Sequence, residues 1–516
     1  MSYEINDRTL VNELCVEIKQ SVDENQKRLK KEIEDQNKVF PEIFVHPLDD
    51  TIIGTDGILK RVLPDNEKTL SYSKADELDS LWHMLLEKSI KCLRYFDNRE
   101  PFQDSPNKAI IAYGIDKLED YHRKYTEFEG LMYGASSYYR DHVFHAIRVW
   151  MLGVFVLLKK RDGEQFIDKI ALDGGAKSPR EIDYFECISM WTVIALCHDL
   201  GYPLEKAEQI LEKTRKMMKE FIPNPSVWNN FSYSGTQDNI NEYILKFIST
   251  KMKEKLPENN RAEEKANSAK ETTYIGRIQP KYYLKYAKSL EHFQHGIIST
   301  IIVYKMLLYF LESDFNLNDD YVYRKEDAQQ FYIRREILRA MAAHTCPDAY
   351  DIHVTTFPSL LFICDEMQEW GRKTWSELYT GLSEDSITLS IEKFSKEEIS
   401  VIETIDMSNV EDSEIVIQNI CRIFERQYSL YKTTFRDGQD TAKRDFDLKK
   451  VMDLKLKMNG SETRQIKIEY GLPKAEHSFF KIHLDEIGDC ATQTKYKEKI
   501  NNQISKQLYS EDISFC

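Results

Sequence analysis

Histidine and aspartate side chains interrupt several apolar, helix-like stretches in the middle of this chain. An imidazole or carboxylate on an apolar face is costly to bury unless it has a partner. A single core histidine is usually satisfied by a hydrogen bond, but an ordered set of such residues indicates metal ligands. Imidazole nitrogen and carboxylate oxygen together suit Mn, Fe, Ni, Co or Zn ions, and Mg is also compatible. The set is His145, His198, Asp199, His295, His344 and Asp365.

Other side chains near these positions could act on a substrate. Arg148 lies three residues after His145, a spacing that puts both on one helical face, and it is a candidate phosphate ligand. The further cationic candidates are Lys206, Arg339 and Arg372. For each of them an ordinary ion pair on a helix surface is the competing interpretation. His142 is a candidate general acid, and an ordinary solvent-facing histidine is the competing interpretation.

Helical periodicity surrounds the candidate ligands. A buried helix is predicted over 188–200, and it ends in the His198–Asp199 pair. Amphipathic helices are predicted over 290–311, 328–344 and 358–370. Residues 1–40 predict a charged helix with an apolar stripe of Leu10, Leu14, Ile18 and Val22.

Composition and hydrophobic period divide the chain into three parts. Residues 1–73 form a helical and turn-rich segment, and 74–380 form a helical metal-binding domain with a charged insertion around 204–290. From 385 to 516 the hydrophobic period changes to two, which predicts half-buried antiparallel strands around a helix at 414–431. The expected fold class is therefore mainly α, with a smaller C-terminal α+β domain whose role the sequence does not reveal.

Composition limits the classes of partner. The chain has 516 residues, 41% hydrophobic and 30% charged, which is typical of a globular protein. A net charge of −15 weighs against duplex nucleic acid but allows a small nucleotide-like substrate. Nine cysteines without a C-x-x-C pair predict reduced thiols, and the polar N-terminus and short apolar runs predict a cytoplasmic protein outside membranes. Homo-oligomer formation stays open.

The order of these residues resembles the HD-domain superfamily of metal-dependent phosphohydrolases. His145-x-x-Arg148-Val is similar to the H-x-x-R-V opening of many members, and Cys197-His198-Asp199-Leu-Gly is similar to the namesake pair. The resemblance covers roughly residues 130–375. It implies an HD-type helical bundle that holds two divalent transition-metal ions.

The resemblance also implies roles for the six ligands. A hydroxide that bridges the two ions would attack a nucleotide or nucleotide-derived phosphoester, and Asp199 would be the shared catalytic carboxylate. The first ion would be held by His145, His198, Asp199 and Asp365, and the second by Asp199, His295 and His344.

Two departures from the family pattern leave alternatives open. Many members have a lysine three residues after the aspartate, where this chain has Tyr202. His142 resembles the proton-donating histidine of mammalian cyclic-nucleotide phosphodiesterases, but its spacing from the first ligand is three residues instead of four. Myo-inositol oxygenase and its relatives share the ligand order, so a di-iron oxygenase is an alternative. A non-catalytic ligand-sensing protein is another, although all six ligands are present.

Overall fold

The structure is a computed structural model, and it describes most of the chain up to residue 372 and separate elements beyond it. The described residues are 3–36, 40, 44–64, 69–97, 114–135, 140–158, 167, 169–171, 179–220, 236–255, 273–318, 320–349, 352, 356–372, 387–394, 398–405, 447–458, 462–471, 480–483, 490–504 and 513–515. The expected helix at 414–431 lies outside them.

The described part of the chain is mainly helical, as expected. None of its helices is both long enough and apolar enough to cross a bilayer. The helices are α1 Asp7–Asn12, continued by a π-helical turn Glu13–Ile18 and α2 Lys19–Asp35, then α3 Asp50–Ile53, α4 Ile58–Val62, α5 Ala75–Phe96, α6 Ile115–Ala135, α7 Val143–Leu158, α8 Tyr184–Cys197, α9 Tyr202–Met218, α10 Thr236–Ser249, α11 Pro280–Glu291, α12 His295–Met306, α13 Leu308–Leu311, α14 Lys325–Ala343, α15 Phe357–Met367 and α16 Cys490–Ile504, with a 3-10 turn at Tyr72–Lys74.

Helices α7 and α8 form the centre of the core, and every residue of both is buried. The Trp150 indole donates to Thr192 Oγ1 at 3.0 Å, and the Trp191 indole donates to the Trp150 carbonyl at 3.0 Å. A Cβ at Gly153 would lie 2.0 Å from the Trp191 ring, so glycine permits this close approach. The contacts run in opposite directions along the two helices, as in an antiparallel pair. Trp150 of α7 contacts Thr192 of α8, and Gly153, farther along α7, contacts Trp191, which precedes Thr192 in α8. The start of α7 therefore lies beside the end of α8.

The predicted helix at 290–311 is wrong as a single helix. Helix α11 ends at Glu291, Phe293 has a φ of 50°, and α12 begins only at His295. A turn in the left-handed region ends the hydrogen-bonding of one helix and redirects the chain. This break makes His295 the first residue of a helix instead of an interior one. Its backbone N–H is then available to a partner outside the helix.

Tight packing brings α12 to the other core helices. Gly201 donates its N–H to Ser299 Oγ at 2.8 Å, and a Cβ on Gly201 would lie 2.4 Å from the His295 carbonyl oxygen. Thr300 Oγ1 donates to the Leu338 carbonyl of α14 at 3.1 Å. The turn that follows α8, the start of α12 and the end of α14 consequently meet in one place.

In the described part of the chain, the strands form one large mixed sheet and two small sheets. The strands are β1 Tyr3–Ile5, β2 Lys169–Ala171, β3 Pro179–Glu181, β4 Thr250–Glu254, β5 Tyr274–Ile278, β6 Val322–Tyr323, β7 Ile387–Phe394, β8 Glu398–Ile405, β9 Asp447–Met458, β10 Glu462–Gly471, β11 Phe480–His483 and β12 Ile513–Phe515. The large sheet has the order β1-β7-β8-β9-β10-β11-β12, with antiparallel pairs except for β8/β9 and β11/β12, which are parallel. The expectation of purely antiparallel C-terminal strands is therefore wrong for these two pairs.

The N-terminal segment contributes to the large sheet. Strand β1 pairs antiparallel with β7, with Tyr3 opposite Ile391 and Ile5 opposite Leu389. The chain then enters α1, whose Asn6 cap accepts the N–H of Thr9. The apolar stripe expected at Leu10, Leu14, Ile18 and Val22 is buried against the core. Backbone hydrogen bonds thus join the N-terminal segment to a strand of the C-terminal region.

Candidate metal centre

Six side chains that the sequence indicated as ligands come together at the ends of five core helices. His145 lies in the first turn of α7, and His198 caps α8, immediately before Asp199. His295 begins α12, His344 caps α14, and Asp365 lies in α15. Two overlapping groups have ligand atoms within 4.8 Å of one another: His145, His198 and Asp365, and His198, Asp199 and His344.

Asp199 lies between two pairs of histidines, and each of its oxygens faces a different pair. Oδ2 is 3.3 Å from His198 Nε2 and 3.8 Å from His145 Nε2. Oδ1 is 3.2 Å from His295 Nε2 and 3.6 Å from His344 Nε2. A carboxylate with this placement can bridge two cations, one on each oxygen.

Asp365 completes the side of the centre that faces Asp199 Oδ2. Its Oδ1 is 2.7 Å from His145 Nε2 and 3.9 Å from His198 Nε2. Asp365 and His295 are also the most exposed of the six, with 28% and 17% of their side-chain surface accessible. Solvent therefore reaches the centre beside α15 and the start of α12.

Each of the four imidazoles is oriented by an acceptor on its outer nitrogen. Carbonyl and carboxylate oxygens accept hydrogen bonds, so Nδ1 carries a proton in each ring, and Nε2 faces the centre, where it can bind a metal ion when it carries no proton. This is the usual support of metal-binding histidines. The Nδ1 partners are Gln368 Oε1 for His145 (2.6 Å), the Ala195 carbonyl for His198 (2.8 Å), Glu205 Oε2 for His295 (2.6 Å) and the Met341 carbonyl for His344 (2.6 Å).

Two of the inward-facing nitrogens lack a hydrogen bond. The Nε2 atoms of His198 and His344 are buried and have no hydrogen-bond partner among the described residues. A buried polar atom in this state is destabilising by about 1–3 kcal/mol. A cation at the centre would satisfy both lone pairs, so the residues present fit a metal ion.

Electrostatics favour cations at this position. Burial raises the pKa of Asp199, but the nearby imidazoles of His198, His295 and His344 lower it well below its usual range. Burial lowers the pKa of His295, but Asp199 and Glu205 raise it to about 9. Asp199 and Glu205 therefore hold a proton on His295 when no other cation neutralises their charge. A metal ion would displace this proton.

Glu205 is a residue of the candidate centre that the sequence prediction missed. Its Oε2 accepts both the ring Nδ1–H of His295 and the His295 backbone N–H, the latter at 2.9 Å. Burial raises the pKa of Glu205, but His295 and Lys206 lower it to about 2. Gln368 was missed in the same way, and it lies one helical turn after Asp365. Two signals were available in the sequence. Glu205 is an acidic residue in the first turn of α9, and Gln368 lies three residues after the candidate ligand Asp365.

Only some of the predicted substrate-binding residues lie near the centre. The Lys206 ammonium is 2.5 Å from Glu205 Oε1 and 5.0 Å from the Tyr202 ring centroid. Arg372 donates to the Asp141 carbonyl at 3.2 Å, and Asp365 and Asp199 are among the charges that raise its pKa against burial. Its buried Nε has no hydrogen-bond partner in the described part of the chain.

The other two arginines are directed elsewhere. Arg148 is buried and donates to Asp7 from Nε at 2.9 Å and from Nη2 at 2.9 Å. Arg339 stacks on Tyr282 of α11, with its guanidinium carbon 3.9 Å from the ring centroid. These contacts are those of structural residues, and neither arginine is placed as a phosphate ligand.

His142 lies beside the centre but is buried. Its ring centroid is 3.9 Å from that of Tyr202 and 6.2 Å from that of His145, and its backbone N–H donates to Glu129 at 2.5 Å. Burial lowers the pKa of His142 well below its usual range. The imidazole is therefore neutral near pH 7. Tyr202, at the position where a lysine was expected, fills the space between His142 and His295, with its ring centroid 5.3 Å from that of His295.

Comparisons of the chain with protein-family models, with curated proteins and with solved structures give no match. The geometry of the centre is therefore the basis on which a function is inferred for this protein.

Proposed function

We propose that this protein is a metal-dependent phosphohydrolase or phosphodiesterase that acts on a nucleotide or nucleotide-derived phosphoester. The observation that carries the proposal is the placement of Asp199 between two histidine pairs whose Nε2 atoms point inward. Two ions that share one carboxylate are a recurring arrangement for phosphoester hydrolysis.

The donor atoms divide into two sets. His145, His198, Asp365 and Asp199 Oδ2 would hold one ion. His295, His344 and Asp199 Oδ1 would hold the other. Mixed nitrogen and oxygen donors suit Mn, Fe, Co, Ni and Zn better than Mg, which prefers oxygen alone. When bound, such ions supply Lewis-acid activation of the phosphoryl group and a water nucleophile at neutral pH.

Two cationic side chains of the chain would bind and orient the substrate. Arg372 has an unused Nε donor and lies close enough to Asp365 and Asp199 for their charges to affect it. Lys206 is anchored to Glu205 and retains further N–H donors. In a protein with a net charge of −15, these residues supply the local positive charge that an anionic phosphoester requires.

The proposal is tested with purified protein by measuring its metal content and its hydrolysis of bis-p-nitrophenyl phosphate with Mn²⁺. We expect bound divalent metal, and we expect Asp199→Ala to abolish hydrolysis while the fold is retained. His122→Gln is the matched control, because His122 is an equally buried histidine that stacks on Trp82 instead of facing the centre. It should retain both metal and activity.

Two results would contradict the proposal in different ways. Tightly bound iron, oxygen consumption and no phosphoester hydrolysis would replace it with the oxygenase alternative. Absence of both bound metal and either activity would reject both enzyme classes and leave the ligand-sensing alternative.

A further inference from the structure

Asp7 is a fully buried carboxylate that joins three separate parts of the chain. It accepts hydrogen bonds from Nε and Nη2 of Arg148, each at 2.9 Å. It also accepts the indole N–H of Trp370 at 2.9 Å and the backbone N–H of Leu70 at 3.0 Å. A buried carboxylate with this many donors is well satisfied. It therefore fixes the positions of these donors relative to one another.

Two of these contacts lead to the ligand His145. Arg148 lies one turn after His145 on α7, so Asp7 holds the first turns of that helix. Trp370 accepts the Gln368 side-chain N–H on its carbonyl at 2.7 Å, and Gln368 in turn accepts His145 Nδ1–H at 2.6 Å. One carboxylate thus supports both the backbone that carries His145 and the amide that orients its ring.

We propose that Asp7 is a positioning residue for His145, and that the metal set on the Oδ2 side of Asp199 depends on it. The inference rests on the proposed metal centre. The other set does not share this support, because His295 is held by Glu205 and His344 by the Met341 carbonyl. Loss of the Asp7 charge should therefore affect the two metal sets unequally.

The substitution Asp7→Asn tests the inference with almost no change in volume. The amide has one acceptor oxygen where the carboxylate has two, and its NH₂ group would face the Arg148 guanidinium. Asp97→Asn is the matched control. Asp97 and Arg334 form a comparably buried pair at 2.8 Å, and Arg334 lies on α14 rather than on the helix of His145. Both variants should unfold at a lower temperature than the wild type.

The readout is Mn²⁺ binding to the full-length protein, measured by equilibrium titration and by electron paramagnetic resonance. We expect Asp7→Asn to bind one of two ions at least about tenfold more weakly, as is common when the support of a ligand is lost. Its spectrum should change from that of a coupled pair to the hyperfine sextet of an isolated Mn²⁺ ion, as in His145→Ala. Asp97→Asn should keep the coupled spectrum. Equal effects of the two variants, or an unchanged spectrum in Asp7→Asn, would overturn the inference.

A second measurement on the metal-free samples separates this inference from the proposed function. With ¹⁵N-labelled histidine, the Nδ1–H signal of His145 should be sharp in the wild type and in Asp97→Asn, and lost or broadened in Asp7→Asn. If the wild type binds no divalent metal, the proposed function fails. The histidine signal still decides whether Asp7 positions the ring, and an unchanged signal in Asp7→Asn would refute that role.

Discussion

Glu205 offers the sharpest test of how the centre holds a metal ion. The substitution Glu205→Gln keeps the length of the side chain and a carbonyl oxygen that can accept His295 Nδ1–H. It removes the negative charge. The measured change therefore reports the electrostatic contribution of the carboxylate to whatever cation lies on His295 Nε2.

The size of the effect follows from the pKa of Glu205, which is about 2 instead of 4.5. At ~1.4 kcal/mol for each pKa unit, a displacement of this size favours the charged carboxylate by ~3 kcal/mol. Burial opposes the displacement, and His295 and Lys206 together produce it. Only the part that comes from His295 reports on a cation at that ring, so the effect on one positive charge there is smaller than the whole displacement. A divalent ion is farther away but carries twice the charge, so we expect its affinity to fall roughly 10- to 100-fold.

The loss should depend on pH because His295 also binds a proton. Burial lowers its pKa, but Asp199 and Glu205 raise it to about 9, so the metal-free imidazole is protonated at neutral pH. Removing Glu205 weakens the binding of the proton as well as that of the metal ion. Near pH 7 these effects partly cancel, whereas at about pH 9.5 the loss in metal affinity is seen in full.

The assay is a Co²⁺ titration in a chelator buffer, followed by visible absorption at both pH values. Glu212→Gln is the matched control, since Glu212 lies on the same helix and is paired with Arg215 at 2.5 Å. It should leave the affinity unchanged. An effect of Glu205→Gln that is absent at about pH 9.5, or larger near pH 7, would refute the electrostatic reasoning.

Three further outcomes are expected. The apparent metal affinity of the wild type should rise with pH and level off near pH 9, because below its pKa His295 must lose a proton before it binds the ion. Calorimetry in buffers of different ionisation enthalpy should show this proton release. In a denaturant titration, Gly201→Ala should lower the free energy of unfolding by about 1–3 kcal/mol, because its Cβ would lie 2.4 Å from the His295 carbonyl oxygen. In the same titration, Gly130→Ala should raise the free energy of unfolding by about 0.5–1 kcal/mol, because a Cβ at Gly130 has nothing within 4 Å. Arg372→Gln should raise KM for bis-p-nitrophenyl phosphate about tenfold with its metal content unchanged, while Arg339→Gln should leave KM near the wild-type value; loss of metal in Arg372→Gln would contradict a substrate-binding role.

The six candidate ligands could be predicted from the sequence because each interrupts or borders an apolar helical stretch. His198, at the end of a helix in which every residue is buried, is an example. Such a position allows few explanations, and their order along the chain narrows them further. Glu205 could not be recognised in this way. It belongs to α9, a helix rich in Lys and Glu, where an acidic side chain usually faces solvent.

The role of Arg148 illustrates a different limit. Its spacing from His145 predicts one helical face, and the two residues do share α7. Its partner Asp7 is 141 residues away along the chain, however, and no local pattern indicates such a pair. From the sequence alone, the positive charge of Arg148 could therefore be interpreted as that of a phosphate ligand.

The hydrophobic period of the sequence predicted which C-terminal segments form strands, but it did not predict how those strands pair. Alternating hydrophobicity predicted β7, β8, β9 and β10, and all four are strands. Alternation does not determine which strands are neighbours or whether a pair is parallel. Strand β1, with three residues, is too short to show a period at all.

The pairing of β1 with β7 sets an order for events during synthesis. Tyr3–Ile5 is translated hundreds of residues before the strand that it pairs with, Ile387–Phe394. Long-range pairing of this kind is a late step in folding. Since Asp7 follows β1 by two residues, we expect nascent chains that end before β7 to hold this aspartate loosely. A truncated translation product should then load metal poorly at His145, and only chains that contain the C-terminal sheet would acquire the complete centre.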